Sequence, residues 1–214
     1  LVKRYAEKYP RQEFDEYTYI PVLHVELKSP KSDKAFAEQI ILAMTGSLEG
    51  RTIKSKDDGY KLISKLCREC HTELIVLDEV QTVIQNRSQG VIANISDWFK
   101  DLMRATAIPV VLVGMPWCLG FVEDYDQLDT RVGYRHYLET FRVSQQFGHF
   151  MKFIELFSKA YEFEDGFSLS DPELAYRLFA YSSGIVRATT GHIVKAGSIA
   201  KSNGIKINLW CLQE

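Results

Sequence analysis

Glu73-Leu74-Ile75-Val76-Leu77-Asp78-Glu79 decides the fold. An unbroken apolar run between polar residues predicts a strand buried on both faces of a parallel sheet; a half-solvated antiparallel strand would alternate. Such a strand delivers its last residues to the carboxyl edge of the sheet, where open α/β folds place their ligands. Two acids at that edge can share the work of phosphoryl transfer. The first holds Mg²⁺ through water, and the second polarises the attacking water. Asp78 is the expected metal acid and Glu79 the expected base. The plainer alternative is a buried strand that ends in two solvated carboxylates.

Around this strand, helical and strand-like segments alternate in the manner of an α/β protein. Ile20-Pro21-Val22-Leu23-His24-Val25-Glu26-Leu27 reads as a strand, preceded by the tail of a helix, Leu1 to Lys8, that stops before Pro10. Ser32 or Asp33 caps a helix to about Met44, where Gly46 ends it, and another helix starts near Asp57-Asp58. Ile92, Ile95, Trp98, Phe99, Leu102 and Met103 recur at helical spacing, and Val110-Val111-Leu112-Val113 predicts a second buried parallel strand. A short helix after Pro116, a strand at Tyr137-Leu138-Glu139-Thr140-Phe141 and a long helix from about Phe147 to Tyr161 complete the expected core. Beyond Gly166, Ser170-Asp171-Pro172-Glu173 marks a helix start, and Thr189 or Thr190 opens a helix towards Ala200. The expected organisation is therefore an α/β core over residues 1–165 and a small helical lid with a tail over 166–214.

Bulk properties narrow the class without choosing a function. The chain has 214 residues, 46% hydrophobic and 25% charged, with a formal net charge of −2. That composition supports a real core and gives no global basic signature, so a nucleic-acid contact has to come from a local patch. No apolar stretch approaches the roughly 18 to 20 residues needed to span a bilayer. Leu1-Val2-Lys3-Arg4-Tyr5-Ala6 lacks a signal-peptide layout, so the cytoplasm is the expected compartment and no membrane partner is expected. Of the four cysteines, Cys67 and Cys70 fall in Cys67-Arg68-Glu69-Cys70-His71, the pattern of covalent haem attachment. Helical spacing instead puts both on one stripe with Ile63 and Leu66, as buried free thiols of a cytosolic protein.

The strand with its two acids resembles the Walker B strand of P-loop ATPases, and the order of the further motifs resembles the AAA+ type. Val110-Val111-Leu112-Val113-Gly114-Met115-Pro116 is similar to the strand beside Walker B, whose tip normally offers a polar side chain to the γ-phosphate. Gly114 and Met115 offer none, which leaves the sensor residue open. Asp126-Gln127-Leu128-Asp129-Thr130-Arg131 precedes the next expected strand, where these ATPases place an arginine finger for the neighbouring subunit. Arg131 is the candidate, with Arg135 a rival; the alternative for Arg131 is a surface ion pair with Asp129 or Glu139. Ser183-Gly184-Ile185-Val186-Arg187 resembles the lid motif that presents an arginine, here Arg187, to the nucleotide of its own subunit.

More closely, the chain resembles the AAA+ regulators of DNA transposition, the TniB/TnsC family. Leu77-Asp78-Glu79-Val80-Gln81 carries the likeness, supported by Ile108-Pro109-Val110-Val111-Leu112-Val113-Gly114-Met115-Pro116, with Met115 in place of a threonine, and by Gln127-Leu128 before Arg131. The likeness runs from Leu1 to about Ala200. It implies an AAA+ P-loop NTPase core, a parallel sheet sandwiched by helices, with a small C-terminal helical lid. It also implies an ATPase using ATP and Mg²⁺ that assembles with copies of itself, as a ring or helical filament, on double-stranded DNA. There it receives a signal from a TniQ- or TnsD-like target selector and licenses the transposase. Arg51-Thr52-Ile53-Lys54-Ser55-Lys56 lies where the family contacts the DNA backbone, so Arg51, Lys54 and Lys56 are expected to neutralise phosphates and Thr52 to donate a hydrogen bond; a solvated basic loop is the alternative.

No G-x-x-x-x-G-K-[ST] occurs in the chain, so the phosphate cradle and its lysine are missing from it. Leu1 to Ala6 resembles the continuation of the helix that this motif opens, and the expectation is that residues before Leu1 supply the loop and a central strand. This chain by itself is then expected to bind ATP poorly and to be inactive. The competing readings are a non-catalytic scaffold with a degenerate ATPase fold and another AAA+ or STAND-type switch.

Overall fold

The computed structural model describes residues 2–49 and 53–213. The chain divides into two compact units, residues 1–136 and 137–214. The first opens with α1 (Val2–Ala6) and a short antiparallel pair, β1 (Gln12–Glu13) with β2 (Thr18–Tyr19). There follow β3 (Val22–Glu26), α2 (Asp33–Thr45), α3 (Lys56–Glu69), β4 (Leu74–Asp78), α4 (Gln81–Ile84), α5 (Gln89–Thr106), β5 (Val110–Leu112), α6 (Cys118–Glu123) and α7 (Asp126–Asp129). The second unit holds α8 (Val143–Ser158), α9 (Pro172–Ser182), α10 (Val186–Asn203) and α11 (Leu209–Gln213).

β3, β4 and β5 form a parallel sheet in that order, with β4 in the middle. Its register pairs Val22 with Leu74 and Glu26 with Asp78 on one side, and Ile75 with Val110 and Leu77 with Leu112 on the other. Ile75, Val76 and Leu77 are all buried, as an unbroken apolar run in a central strand requires. Leu23, Val25, Ile75 and Leu77 share one face and pack with Phe36, Ile40, Ile63, Ile95 and Phe99 from α2, α3 and α5. Burying such side chains contributes roughly 1.5–3 kcal/mol each.

Local chemistry sets the helix ends. The Ser32 hydroxyl accepts from Ala35 N–H at 3.2 Å to start α2, and Gly46, at φ +73°, closes it by donating to the Leu42 carbonyl at 2.8 Å. Ser55 caps α3 in the same way through Asp58 N–H. Asp171 accepts from Glu173 N–H and Leu174 N–H ahead of Pro172. The second unit has its own core, with Phe150 and Ile154 of α8 packed against Leu178 of α9 and Ile193 and Ala196 of α10. Cys67 and Cys70 are buried, and burial pushes the Cys67 thiol up to about 11.

Two expectations need correcting. β5 is parallel but not buried: Val111 is 43% exposed, because β5 is the last strand of the described sheet and the face bearing His24 and Val111 is only partly covered. Tyr137–Phe141 is not a strand; Leu138 is 75% exposed, and the backbone tie in this stretch is Phe141 N–H to Gly184 O at 3.0 Å. Among the described residues no strand runs beside it, so its β-prone residues have no ladder to join. The compact units part at residue 136, and α8 buries its apolar face with α9 and α10.

Candidate functional site

β4 ends on Asp78, half-buried at the carboxyl edge of the sheet, and both carboxylate oxygens are engaged. Glu79 N–H donates to Oδ1 at 2.8 Å, and His24 Nε2 lies 3.1 Å from Oδ2. His24 is on β3, two residues before Glu26, the register partner of Asp78, so it reaches Asp78 diagonally across the ladder. Each carboxylate oxygen carries two lone pairs, so one contact apiece leaves capacity for a water.

Glu79 stands at φ +59°, a left-handed conformation that is uncommon for a residue with a side chain. The ladder explains it. Val113 N–H donates to Leu77 O at 2.9 Å and Val80 N–H to Val113 O at 3.0 Å, so β4 and β5 stay in contact past Asp78 while Glu79 is pushed out into solvent. Its carboxylate accepts from Gln81 Nε2, and Gln81 Oε1 accepts from Met115 N–H at 3.3 Å. The Thr82 hydroxyl lies 2.8 Å from Leu27 O and 2.9 Å from Glu79 O, and Leu27 N–H donates to Asp78 O at 3.0 Å. These contacts stitch the acidic corner to the segment leaving β3. Strain of this kind persists only where surrounding contacts over-determine it, and it clusters at functional sites.

The remaining candidates are distributed as follows. Arg131, just beyond α7, is exposed, and among the described residues no ion-pair partner holds it. The carboxylates named as its alternatives are taken by other arginines: Asp129 pairs with Arg135, and Glu139 with Arg142 at 3.2 Å. Arg187 is exposed in the first turn of α10, in the second unit. Arg51 and Thr52 lie outside the described residues. Lys54 is exposed. Lys56 is not a free cation, since its Nζ lies 2.8 Å from Asp101 and 3.8 Å from Asp33. Burial works against its charge, but the Asp101 hydrogen bond and the surrounding carboxylates outweigh it and raise the pKa.

The sequence reading missed His24, Gln81 and Thr82 as parts of this corner. The alternation of β3 puts His24 on the same face as Glu26, so strand register was the signal for it. Gln81 and Thr82 gave no signal beyond following the acids closely.

The fold has known counterparts. The family model described as Bacterial TniB protein matches residues 1–141, more than half of the 214-residue chain. The chain belongs to the TniB family. No curated protein sequence matches it. Among solved structures, this TniB-family chain resembles the Aeropyrum pernix ORC2 protein in its ADPNP–ADP complexes, with a TM-score of 0.63 and 14% identity over 99% of this chain and 54% of that one. The ADP form of the same protein gives 0.64 and 15% over 99% and 55%. Cdc6p from Pyrobaculum aerophilum gives 0.60 and 14% over 88% and 50%. At these identities the likeness shows the fold, the AAA+ P-loop NTPase type. The chain spans about half the length of the structures it matches. Among the described residues, no helix is long and apolar enough to cross a membrane.

Proposed function

We propose that this TniB-family chain is the core of an ATP-dependent regulator of DNA transposition. It assembles with copies of itself on double-stranded DNA and couples a TniQ- or TnsD-like target selector to the transposase. The observation that carries this is the Asp78-Glu79 corner at the carboxyl end of the central strand, inside the region matched by the family model. Two of the solved neighbours that share the fold are described as ADPNP–ADP complexes and the ADP form of an ORC2 protein, which supports nucleotide binding by a chain of this fold.

The corner fits Mg²⁺ held through water. Asp78 presents one carboxylate with spare lone pairs, and Mg²⁺ takes few protein ligands, keeping waters and phosphate oxygens for the rest. A three-residue cluster of His, Cys, Asp or Glu, absent among the described residues, is not needed for that mode. When bound, Mg²⁺ would neutralise charge on the phosphates. Asp78 would hold the metal through a water, and Glu79, held on the solvent side, accepts the proton of the attacking water. Arg131 reaches the neighbouring subunit's nucleotide, and Arg187 is the lid arginine of the helical second unit. Lys54 contacts the DNA backbone with Arg51 and Thr52, whereas Lys56 is engaged within the fold.

The test uses the full-length protein with Mg²⁺ and ATP, with and without duplex DNA. Turnover that falls about 10²- to 10⁴-fold in Glu79→Gln, with DNA-templated filaments visible by electron microscopy, supports the proposal. Absent turnover with intact DNA assembly supports a scaffold without hydrolysis. That second reading draws on Met115, which brings a thioether and not a hydrogen-bonding side chain to the tip of β5.

A further inference from the structure

Gln81 opens α4 two residues after Glu79 and touches groups from the segments that leave two strands. Its Nε2 donates to Glu79 Oε2, and its Oε1 accepts from Met115 N–H at 3.3 Å. These partners fix which end of the amide is nitrogen: a carboxylate needs a donor, and a backbone N–H needs an acceptor. A neutral carboxamide supplies both from one planar group. Glutamate at this position would set two carboxylates against each other, and an apolar residue would satisfy neither partner.

The exit of β5 is shaped around this amide. A Cβ at Gly114 would lie 3.1 Å from Gln81 Oε1, 3.2 Å from Cys118 Sγ and 3.3 Å from Val80 Cβ. Each of these is tighter than an ordinary van der Waals contact, so glycine leaves the carboxamide its place. The backbone of Glu79, at φ +59°, aims the side chain into solvent, where alone it would sample many rotamers.

We propose that Gln81 is the positioning residue for Glu79. It clamps the carboxylate against the tip of β5, so that the base is held in one place before substrate arrives. The inference rests on the reading of Glu79 as the general base. It assigns Gln81 no contact with substrate; its effect passes through Glu79, and its cost on removal appears as lost orientation.

The test compares steady-state ATP hydrolysis by the full-length protein with that of Gln81→Met, Gln81→Glu, Glu79→Gln and the double variant Glu79→Gln/Gln81→Met. Thermal unfolding reports whether each variant folds, and Gln81→Met, which keeps the length of the side chain, carries the test if Gln81→Glu does not fold. The expected result is a kcat lower by about 10- to 100-fold in both Gln81 variants, with KM for ATP within about twofold of the parent. The double variant should be no slower than Glu79→Gln alone, because the two residues act through one carboxylate. An unchanged or raised kcat in Gln81→Met, or a further loss in the double variant, overturns the role of Gln81 and leaves Glu79 standing. A parent protein without turnover, or a Glu79→Gln variant that hydrolyses normally, overturns the reading of Glu79 and this inference with it.

Discussion

His24 Nε2 sits 3.1 Å from Asp78 Oδ2, joining neighbouring parallel strands through side chains at the edge where the sheet delivers its acids. With Glu79 N–H on Oδ1, the Asp78 carboxylate is fixed at both ends. An outer partner that orients a metal-binding carboxylate typically changes metal affinity by about 10- to 100-fold when removed. His24→Leu in the full-length protein is therefore expected to raise the Mg²⁺ concentration for half-maximal hydrolysis by about tenfold. A Mg²⁺ titration checks this, and a midpoint unmoved in His24→Leu would show the contact to be incidental.

The backbone at Glu79 predicts a trade of stability against turnover. A non-glycine residue in the left-handed region costs about 1 kcal/mol. Glu79→Gly should recover roughly that much, raising the melting temperature by about 2–4 °C for a chain of this size, while abolishing hydrolysis. Calorimetry alongside an ATPase assay decides it; a variant that melts lower contradicts the strain.

Lys54 and Lys56 should part company. Lys54→Glu is expected to weaken DNA binding and flatten its salt dependence, at little cost to stability. Lys56→Met removes the cation from Asp101 and Asp33. It should cost about 1 kcal/mol in urea denaturation and change DNA affinity little. Equal effects of the two substitutions on DNA binding would return Lys56 to the interface.

Arg131 and Arg135 are separable in the same way. Arg135 is held by Asp129, whereas Arg131 projects without an ion-pair partner among the described residues. Arg131→Ala should lower turnover of the assembled protein by about 10³-fold or more, with Arg135→Ala near the parent rate. The reverse ranking would make Arg135 the finger.

Gly184 offers a test within the second unit. Its φ is +70°, and a Cβ there would come 2.2 Å from Phe141 O and 2.9 Å from the Phe179 ring. Gly184→Ala combines left-handed strain with a backbone clash and should destabilise by about 2–4 kcal/mol. Chemical denaturation measures it, and a change under about 0.5 kcal/mol, the size of a neutral surface substitution, would mean the segment at Phe141 yields freely.

The sequence made legible whatever local pattern dictates. The apolar run of β4, the Ser32 and Asp171 caps, the Gly46 stop and the stripe through Ile95, Phe99 and Leu102 all follow from periodicity and side-chain chemistry. Tyr137–Phe141 was misread because β-prone residues form a strand only beside another strand. The packing of α8 with α9 and α10 was not legible, because periodicity marks an apolar face without naming its partner. The place of Asp78 and Glu79 at the carboxyl end of a buried strand was readable from the apolar run before them. His24 needed the register between β3 and β4, and Gln81 needed the exit geometry of β5.

The ion pairs of Lys56 have a mechanical side. Its ammonium joins the first residue of α3 to the first residue of α2 through Asp33, and to α5 through Asp101. Lys54 stands two residues upstream, next to the Ser55 cap. The side chain proposed to grasp a DNA phosphate is thus mounted on a post anchored to three helices, and a tug on it is borne by the body of the first unit.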